Sequence, residues 1–292
     1  MHEQRTYQAD GGMLVLVPTP IGNLEDMTFR AVRELKEADV IAAEDTRHTR
    51  KLCHVYEIET PLISFHEHSS GTRLEELLEK VRSGKKVALV SDAGTPGVSD
   101  PGWAAVDACR QEGLTVTALP GASAAVTALT ASGLPTTSFT FLGFSERKKK
   151  KRTDLLEEWR TARSTLIFYE SPHRLDQMLQ AAFDVYGPRR AAIGRELTKQ
   201  FETYVTGTLK ELAAWAADTE IKGECVILIE GADEEEAAAA GKEWWQELSL
   251  KQHVEHHIEK GHSSKQAIKQ TAVDRSMPKR DVYAAYHDTG AI

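Results

Sequence analysis

The chain has 292 residues and a formal net charge of −8, a length that allows two domains at roughly 150 residues each. Its three cysteines, Cys53, Cys109 and Cys225, lie far apart with no C-x-x-C spacing, which excludes a disulfide framework and a cysteine-based zinc cluster and points to a reducing compartment. No run of 18 apolar residues occurs and the polar stretch Met1 to Gly12 has no apolar h-region, so a soluble cytoplasmic protein with no membrane association is expected.

Residues 1–12 are expected to be disordered or extended. Met13 to Val17 reads as a first strand, broken by the loop Pro18-Thr19-Pro20-Ile21-Gly22-Asn23. Glu25 to Ala38 is amphipathic, with Phe29, Val32 and Leu35 recurring as one helix face. Val40 to Ala43 gives a second strand, ending in the polar group Glu44-Asp45-Thr46-Arg47. Pro61 to Phe65 gives a third, ending in His66-Glu67-His68. Arg73 to Arg82 sets Leu74, Leu77, Leu78 and Val81 at helical spacing, and Gly84 closes that helix. Lys86 to Val90 is a short buried strand that runs into Ser91-Asp92-Ala93-Gly94-Thr95-Pro96-Gly97-Val98-Ser99-Asp100-Pro101-Gly102. Glycine lets such a loop approach a ligand and proline stiffens it. Ligands in open α/β sheets sit beyond the carboxyl ends of strands. Asp100 is expected to cap the next helix, with Pro101 at its first position and Arg110 near its end. Leu114 to Leu119 completes a mostly parallel α/β domain over residues 13–120.

A second α/β domain is expected over 121–232. Pro120-Gly121-Ala122-Ser123 leads into a small-residue helix, Ala124 to Ala131. Phe139 to Phe144 is a strand, followed by six consecutive basic residues, Arg147 to Arg152, and a helix around Trp159. Ser164 to Tyr169 is a strand ending in Glu170-Ser171-Pro172-His173-Arg174. Leu175, Met178, Leu179, Ala182 and Phe183 form a helical stripe that stops near Gly187. Arg190 to Leu197 and Glu202 to Thr208 read as a hairpin-like pair, and Cys225 to Glu230 as the last strand. The acidic stretch 233–241 reads as a linker. Residues 242–292 form a small helical module, with Ser263-Ser264 as a cap and Met277-Pro278 as a break. Six Lys or Arg and one acid, Asp274, fall between Lys260 and Arg280, which fits a nucleic-acid-binding module or a plain helical hairpin.

Several chemistries are absent. There is no G-x-G-x-x-G after the first strand, no P-loop and no G-x-S-x-G elbow. His253, His256 and His257 share a helix, but no carboxylate or cysteine partners at a metal-site spacing are recognised for them, so no metal is expected there. What remains is five polar clusters at strand ends: Pro18 to Asn23, Glu44 to Arg47, Ser91 to Asp100, Pro120 to Ser123 and Glu170 to Arg174. Clusters from both halves could converge on a cleft between them.

The stretches VPTPIGNLEDMTFRA, AEDTRHTRKL, SDAGTPGVSDPG, PGASAAVTALTASGLP, FYESPHR, GRELTKQFE and GEC, in that order from about Leu14 to Glu230, resemble the tetrapyrrole methylase family of S-adenosylmethionine enzymes. Within it the likeness is to the branch that acts on small-subunit ribosomal RNA. That branch usually continues Leu-Pro after the Gly-Phe pair, where this chain has Ser145-Glu146.

The resemblance implies two α/β domains with the methyl donor in the cleft between them, a homodimer, and no metal. It implies 2′-O-methylation of a cytidine in the decoding region of 16S rRNA within the small ribosomal subunit. Carried over residue by residue, Pro18, Asp92, Ala93, Gly94, Ser123, Ala124 and Tyr169 would hold S-adenosylmethionine. A ribose hydroxyl needs a base or a cation to stabilise its alkoxide. The candidates are Glu44, Asp45, Glu170 and His173 as base, with Arg47, Arg174, Arg195 and Lys199 as cations. Glu44 with Arg47 and Glu170 with Arg174 would serve equally as simple ion pairs. Arg147, Lys148, Lys149, Lys150, Lys151, Arg152, Arg174, Lys199, Lys265, Lys269, Lys279 and Arg280 would grip RNA phosphates. The rival readings are a small-molecule methylase of the same superfamily, which would need neither the basic run nor the tail, and a non-catalytic RNA-binding factor.

Overall fold

The computed structural model describes residues 3–4, 11–66, 71–241, 245 and 248–287. The expectations for most of residues 1–10, for Glu67 and His68, for the start of the C-terminal module and for the last five residues lie outside the described residues. The chain divides into two compact units, Met1–Gly231 and Ala232–Ile292.

The first unit holds two sheets. Its first half runs β1 (Met13–Leu16), α1 (Phe29–Glu37), β2 (Val40–Ala43), α2 (Thr46–Val55), β3 (Leu62–Ser64), α3 (Gly71–Arg82), β4 (Lys86–Val90), α4 (Trp103–Gln111) and β5 (Thr115–Ala118). The strands pair in parallel, in the order β3-β2-β4-β1-β5. Successive side chains alternate between the faces. Leu14 and Leu16 pack with Leu77, Leu78 and Val81 of α3 and Ala105 and Cys109 of α4. Val15 and Val17 pack with Ala31 and Leu35 of α1 and Cys53 of α2. Burial on both faces is why these strands read as continuous apolar runs.

Two local expectations are corrected. The stretch from Glu25 splits into a 3-10 turn, Leu24–Asp26, and a helix that starts only at Phe29, where the Thr28 hydroxyl accepts the Ala31 N–H at 3.0 Å. The helix therefore buries Ala31 and Leu35, while Phe29 is 98% exposed. Asp100 and Pro101 do not start α4. Gly102 occupies the cap at φ 147°, and a Cβ there would lie 3.1 Å from the Gly97 nitrogen. The loop folds back on itself, and Asp100 lines a cavity.

The second half contains α5 (Ala124–Ala131), β6 (Phe139–Phe144), α6 (Lys149–Glu158), β7 (Thr165–Glu170), α7 (Leu175–Tyr186), β8 (Arg190–Arg195), β9 (Thr203–Thr208), α8 (Leu209–Asp218) and β10 (Cys225–Ile229). The order is β6-β7-β10-β8-β9, with β6 and β7 parallel and the other pairs antiparallel. Leu166, Phe168, Ile193 and Ile227 face Leu175, Met178 and Leu179 of α7 and Leu209 and Leu212 of α8. Ile167, Ala192, Val226 and Leu228 face Ala125, Ala128 and Leu129 of α5. Truncating a buried side chain such as Phe168 to alanine would cost about 3–5 kcal/mol.

The second unit is helical. The acidic stretch read as a linker is α9 (Glu234–Gly241), whose first-turn acids complement the helix dipole. It is followed by α10 (Leu250–Glu259), α11 (Ser264–Asp274) and α12 (Lys279–His287). Ser263 and Gln266 form a capping box on α11. Val254, Ala267, Ile268, Ala272 and Val282 make the core that joins the last three helices. No described helix is long and apolar enough to cross a membrane.

Candidate functional site

The loops leaving β1 and β4 are stapled together within the first unit. Thr19 and Gly94 exchange two backbone hydrogen bonds of 2.9 Å, and the Thr19 hydroxyl donates to the Ser91 carbonyl at 3.2 Å. The Thr95 hydroxyl reaches the Ala122 carbonyl at 3.0 Å and so ties in the 120–123 loop. Gly121 sits directly on buried Pro18: a Cβ there would lie 2.5 Å from the Pro18 Cβ. Pro18 thus supports the loop from below and does not line the cavity above it.

That cavity, about 430 Å³, is walled by both halves of the first unit, a size typical of ligand sites. Of the residues implied to hold a cofactor, Asp92, Ala93, Gly94, Ser123, Ala124 and Tyr169 line it. Ile21, Val98, Leu197 and Val226 form apolar wall. The carboxylate residues on its lining are Glu44, Asp92, Asp100, Glu170 and Glu224, with no Lys, Arg or His among the described lining residues. The Tyr169 hydroxyl accepts the Ala125 N–H at 3.2 Å. Burial raises its pKa, so the phenol keeps its proton as a donor. Cys225 also lines the wall, and burial pushes its thiol up to about 11. All three cysteines are free and buried.

The candidate bases separate by position. Asp45 caps α2 through the Arg47 N–H at 2.8 Å and takes the Arg47 guanidinium through both oxygens, at 3.1 and 2.7 Å. Those bonds hold its carboxyl well below the ordinary aspartate range. Neither residue lines the cavity, and His173 is exposed in the middle of the 3-10 turn Pro172–Arg174, also absent from the lining. Glu44 lines the cavity and accepts the Asp92 N–H at 3.3 Å, while the Asp92 carboxylate accepts the Asp45 N–H at 3.1 Å. Glu170 also lines it but is 1% exposed and heavily engaged. It accepts from Arg174 at 2.5 Å, from the Ser171 N–H at 2.8 Å and from the Ser145 hydroxyl. Ser145, at the departure from the usual Leu-Pro, is therefore a partner of the site.

Several implied RNA contacts are committed within the protein. Arg174 is held by Glu170 and donates to the Ser145 carbonyl. Lys199 bonds Glu196 at 2.9 Å and Glu224 at 3.1 Å, and its side chain lies against Gly22. Arg195 donates to the Lys222 and Phe201 carbonyls and to the Thr203 hydroxyl. Arg152 is 4% exposed, a correction to its place among the phosphate ligands: helical periodicity turns it inward beside buried Leu156. Arg147 and Lys148 to Lys151 are exposed, as are Lys265, Lys269, Lys279 and Arg280 in the second unit.

The histidine group in the second unit does have a carboxylate, supplied by α11. Asp274 bonds His253 Nε2 at 3.1 Å and His257 Nε2 at 2.9 Å. Arg275 Nε donates to His253 Nδ1 at 3.1 Å. His253 Nε2 therefore carries the proton and donates to Asp274, so the trio bridges two helices through hydrogen bonds.

Sequence reasoning missed the apolar wall residues Leu197 and Val226 and the rim residue Phe144, whereas Val98 lies within the Ser91 to Asp100 cluster it named. Apolar residues in strands and loops look like core until a cavity is seen. Leu197, Glu224 and Cys225 did fall inside stretches that carried the resemblance.

Comparison with known proteins fits this architecture. Residues 13–213 match Tetrapyrrole (Corrin/Porphyrin) Methylases. A relative from Bacillus subtilis (strain 168), named Ribosomal RNA small subunit methyltransferase I, is 52% identical over 96% of this chain and 96% of its own. One of the same name from Halalkalibacterium halodurans is 52% identical over 98% and 99%. Among solved structures, a diphthine synthase superposes with a TM-score of 0.59 at 14% identity, covering 78% of this chain and 93% of its own. A uroporphyrin-III C-methyltransferase from Thermus thermophilus, complexed with S-adenyl homocysteine, gives 0.52 at 19% identity, covering 75% and 97%. The family match and the near-full-length relatives define a methyltransferase. The chain belongs to the tetrapyrrole methylase family.

Proposed function

We propose that this protein is a cytoplasmic S-adenosylmethionine-dependent methyltransferase that methylates the ribose 2′-oxygen of a cytidine in the decoding region of 16S rRNA, within the small ribosomal subunit. The observation that carries the reading is the near-full-length likeness, at 52% identity, to relatives named for small-subunit ribosomal RNA.

The cavity suits the donor chemically. Its carboxylates favour a cation bearing a sulfonium and an amine, and Ile21, Ala124, Leu197 and Val226 offer apolar wall to a purine. S-adenosylmethionine would supply the methyl group as an activated sulfonium. Asp92, Ala93, Gly94, Ser123, Ala124 and Tyr169 would hold it, with Pro18 seating the 120–123 loop. Rigid alignment of the acceptor oxygen is worth up to ~10 kcal/mol, which fits a wall built from cross-linked loops. We assign the proton-accepting role to Glu44. Asp45 and His173 stand outside the cavity, and Glu170 is engaged by three donors as a positioning group. Arg147 and Lys148 to Lys151 would contact phosphates, as would Lys265, Lys269, Lys279 and Arg280. A homodimer belongs to this reading, and exposed Phe29, Trp103 and Phe201 offer apolar surface for one.

The test supplies labelled S-adenosylmethionine with either small subunits from cells lacking the protein or a tetrapyrrole acceptor. Label in the subunit RNA is expected; label only in the tetrapyrrole would reject the reading.

A further inference from the structure

At the end of β6 the strand register slips. Phe141 pairs with Ile167 and Phe144 with Tyr169, so three steps on β6 oppose two on β7. The extra residue is accommodated at Gly143, whose φ of +68° suits glycine and whose Cβ would lie 3.0 Å from the Ser99 hydroxyl. Bulges of this kind re-aim a side chain. The side chain re-aimed here is Phe144. It lines the cavity yet remains 58% exposed. Its ring stands edge-to-face on Tyr169, with centroids 5.6 Å apart and planes at 67°. Tyr169 in turn is braced by Phe141 at 4.8 Å. Three residues further on, the exposed cations Arg147 to Lys151 begin.

The ring is half-open to solvent at the lining of a cavity whose charged residues are all acidic. Here it stands between the cavity and a run of positive charge. A nucleotide whose phosphates meet the cations and whose sugar reaches the cavity mouth must place its base near this rim. We infer that Phe144 is a stacking platform for the base of the target nucleotide, holding an unpaired nucleobase while its ribose is presented to the cavity. The inference rests on the RNA reading above. Aromatic stacking accepts any base, because every base has a π face. Phe144 therefore supplies hold and not base identity, and the choice of cytidine lies elsewhere.

The experiment uses the full chain, wild type and the variants Phe144→Ala, Phe144→Leu and Phe144→Trp. The acceptor is small subunits from cells lacking the protein, and donor affinity is read by calorimetry. Phe144→Ala and Phe144→Leu are expected to raise the subunit KM roughly five- to a hundredfold, with donor affinity changed less than about threefold and Phe144→Trp close to wild type. The methylated nucleotide stays the same in every active variant. Leucine performing as well as phenylalanine would overturn the platform, since bulk without a π face would then suffice. So would equal losses of donor affinity and subunit KM, which would place the ring in the donor site. A wild-type protein that transfers nothing to subunits would overturn the RNA reading and the platform together, whereas active wild type with unaffected variants removes the platform alone.

Discussion

At Glu170, Arg174, the Ser171 N–H and the Ser145 hydroxyl converge on one buried carboxylate. A carboxylate engaged on both oxygens is anchored, and its removal leaves Arg174 with an uncompensated charge in a half-buried place. Glu170→Gln is expected to lower the unfolding free energy by about 1–3 kcal/mol and to reduce turnover, with little change in donor affinity. Calorimetric melting beside a turnover assay checks this. Lost turnover with an unchanged melting temperature would instead give Glu170 a chemical role. This residue also marks how far sequence reaches. Its place at a strand end was legible, and so was the option of an ion pair with Arg174. The third partner, Ser145, was not, because it lies 25 positions away, just past the end of β6. Asp45 shows the same limit: its basicity is suppressed by Arg47, two residues on, a pairing near in sequence, but only the structure shows that neither residue lines the cavity.

Elements were legible where burial is two-sided or amphipathic. β1, β4, α5 and β6 match their apolar runs, and α7 matches its stripe. The start of α4 was not, because Gly102 folded against Gly97 outcompetes the Asp100 cap. α6 carries a conflict that the proposed phosphate contacts would explain. Lys149, Lys150 and Lys151 occupy its first turn, where cations face the positive end of the helix dipole. Replacing all three with Glu is expected to stabilise the protein by about 0.3–1 kcal/mol per site, while weakening subunit binding and flattening its salt dependence. Thermal melts and binding at two salt concentrations decide; stabilisation with unchanged binding would leave these lysines without an RNA role. In the second unit, burial holds His253 below an ordinary histidine against the pull of Asp274, with His257 and Arg275 adding to the depression. Burial opposes the ionised form of Asp274, but bonds from Gln270, His257 and His253 outweigh it and keep its pKa low. A histidine with a depressed folded pKa supports the fold above its unfolded value of ~6.5, and that support is lost as pH falls through the lower folded value. Hydrogen exchange in α10 and α11, corrected for intrinsic rate, should therefore be faster at about pH 5.5 than at about pH 7.5, and His253→Gln should flatten the difference. Protection that rises on acidification would contradict the assignment.

At the scale of the whole molecule, the site is made from segments that no spacing rule connects. The β1 and β4 loops, the start of α5, and the ends of β6, β7 and β10 meet around one cavity. The polar clusters at strand ends pointed to this convergence. The apolar wall and the aromatic rim did not announce themselves, because their residue types are those of any core. What the assembled site is built to do, in this account, is present a methyl group to an RNA sugar. The most direct test is to incubate the protein with labelled donor and small subunits from cells lacking it, then digest the RNA and locate the label by mass spectrometry. The expected result is a single cytidine in the decoding region carrying the methyl group on its ribose 2′-oxygen. Label on a base, or subunits left unmethylated by a protein that binds the donor, would contradict it.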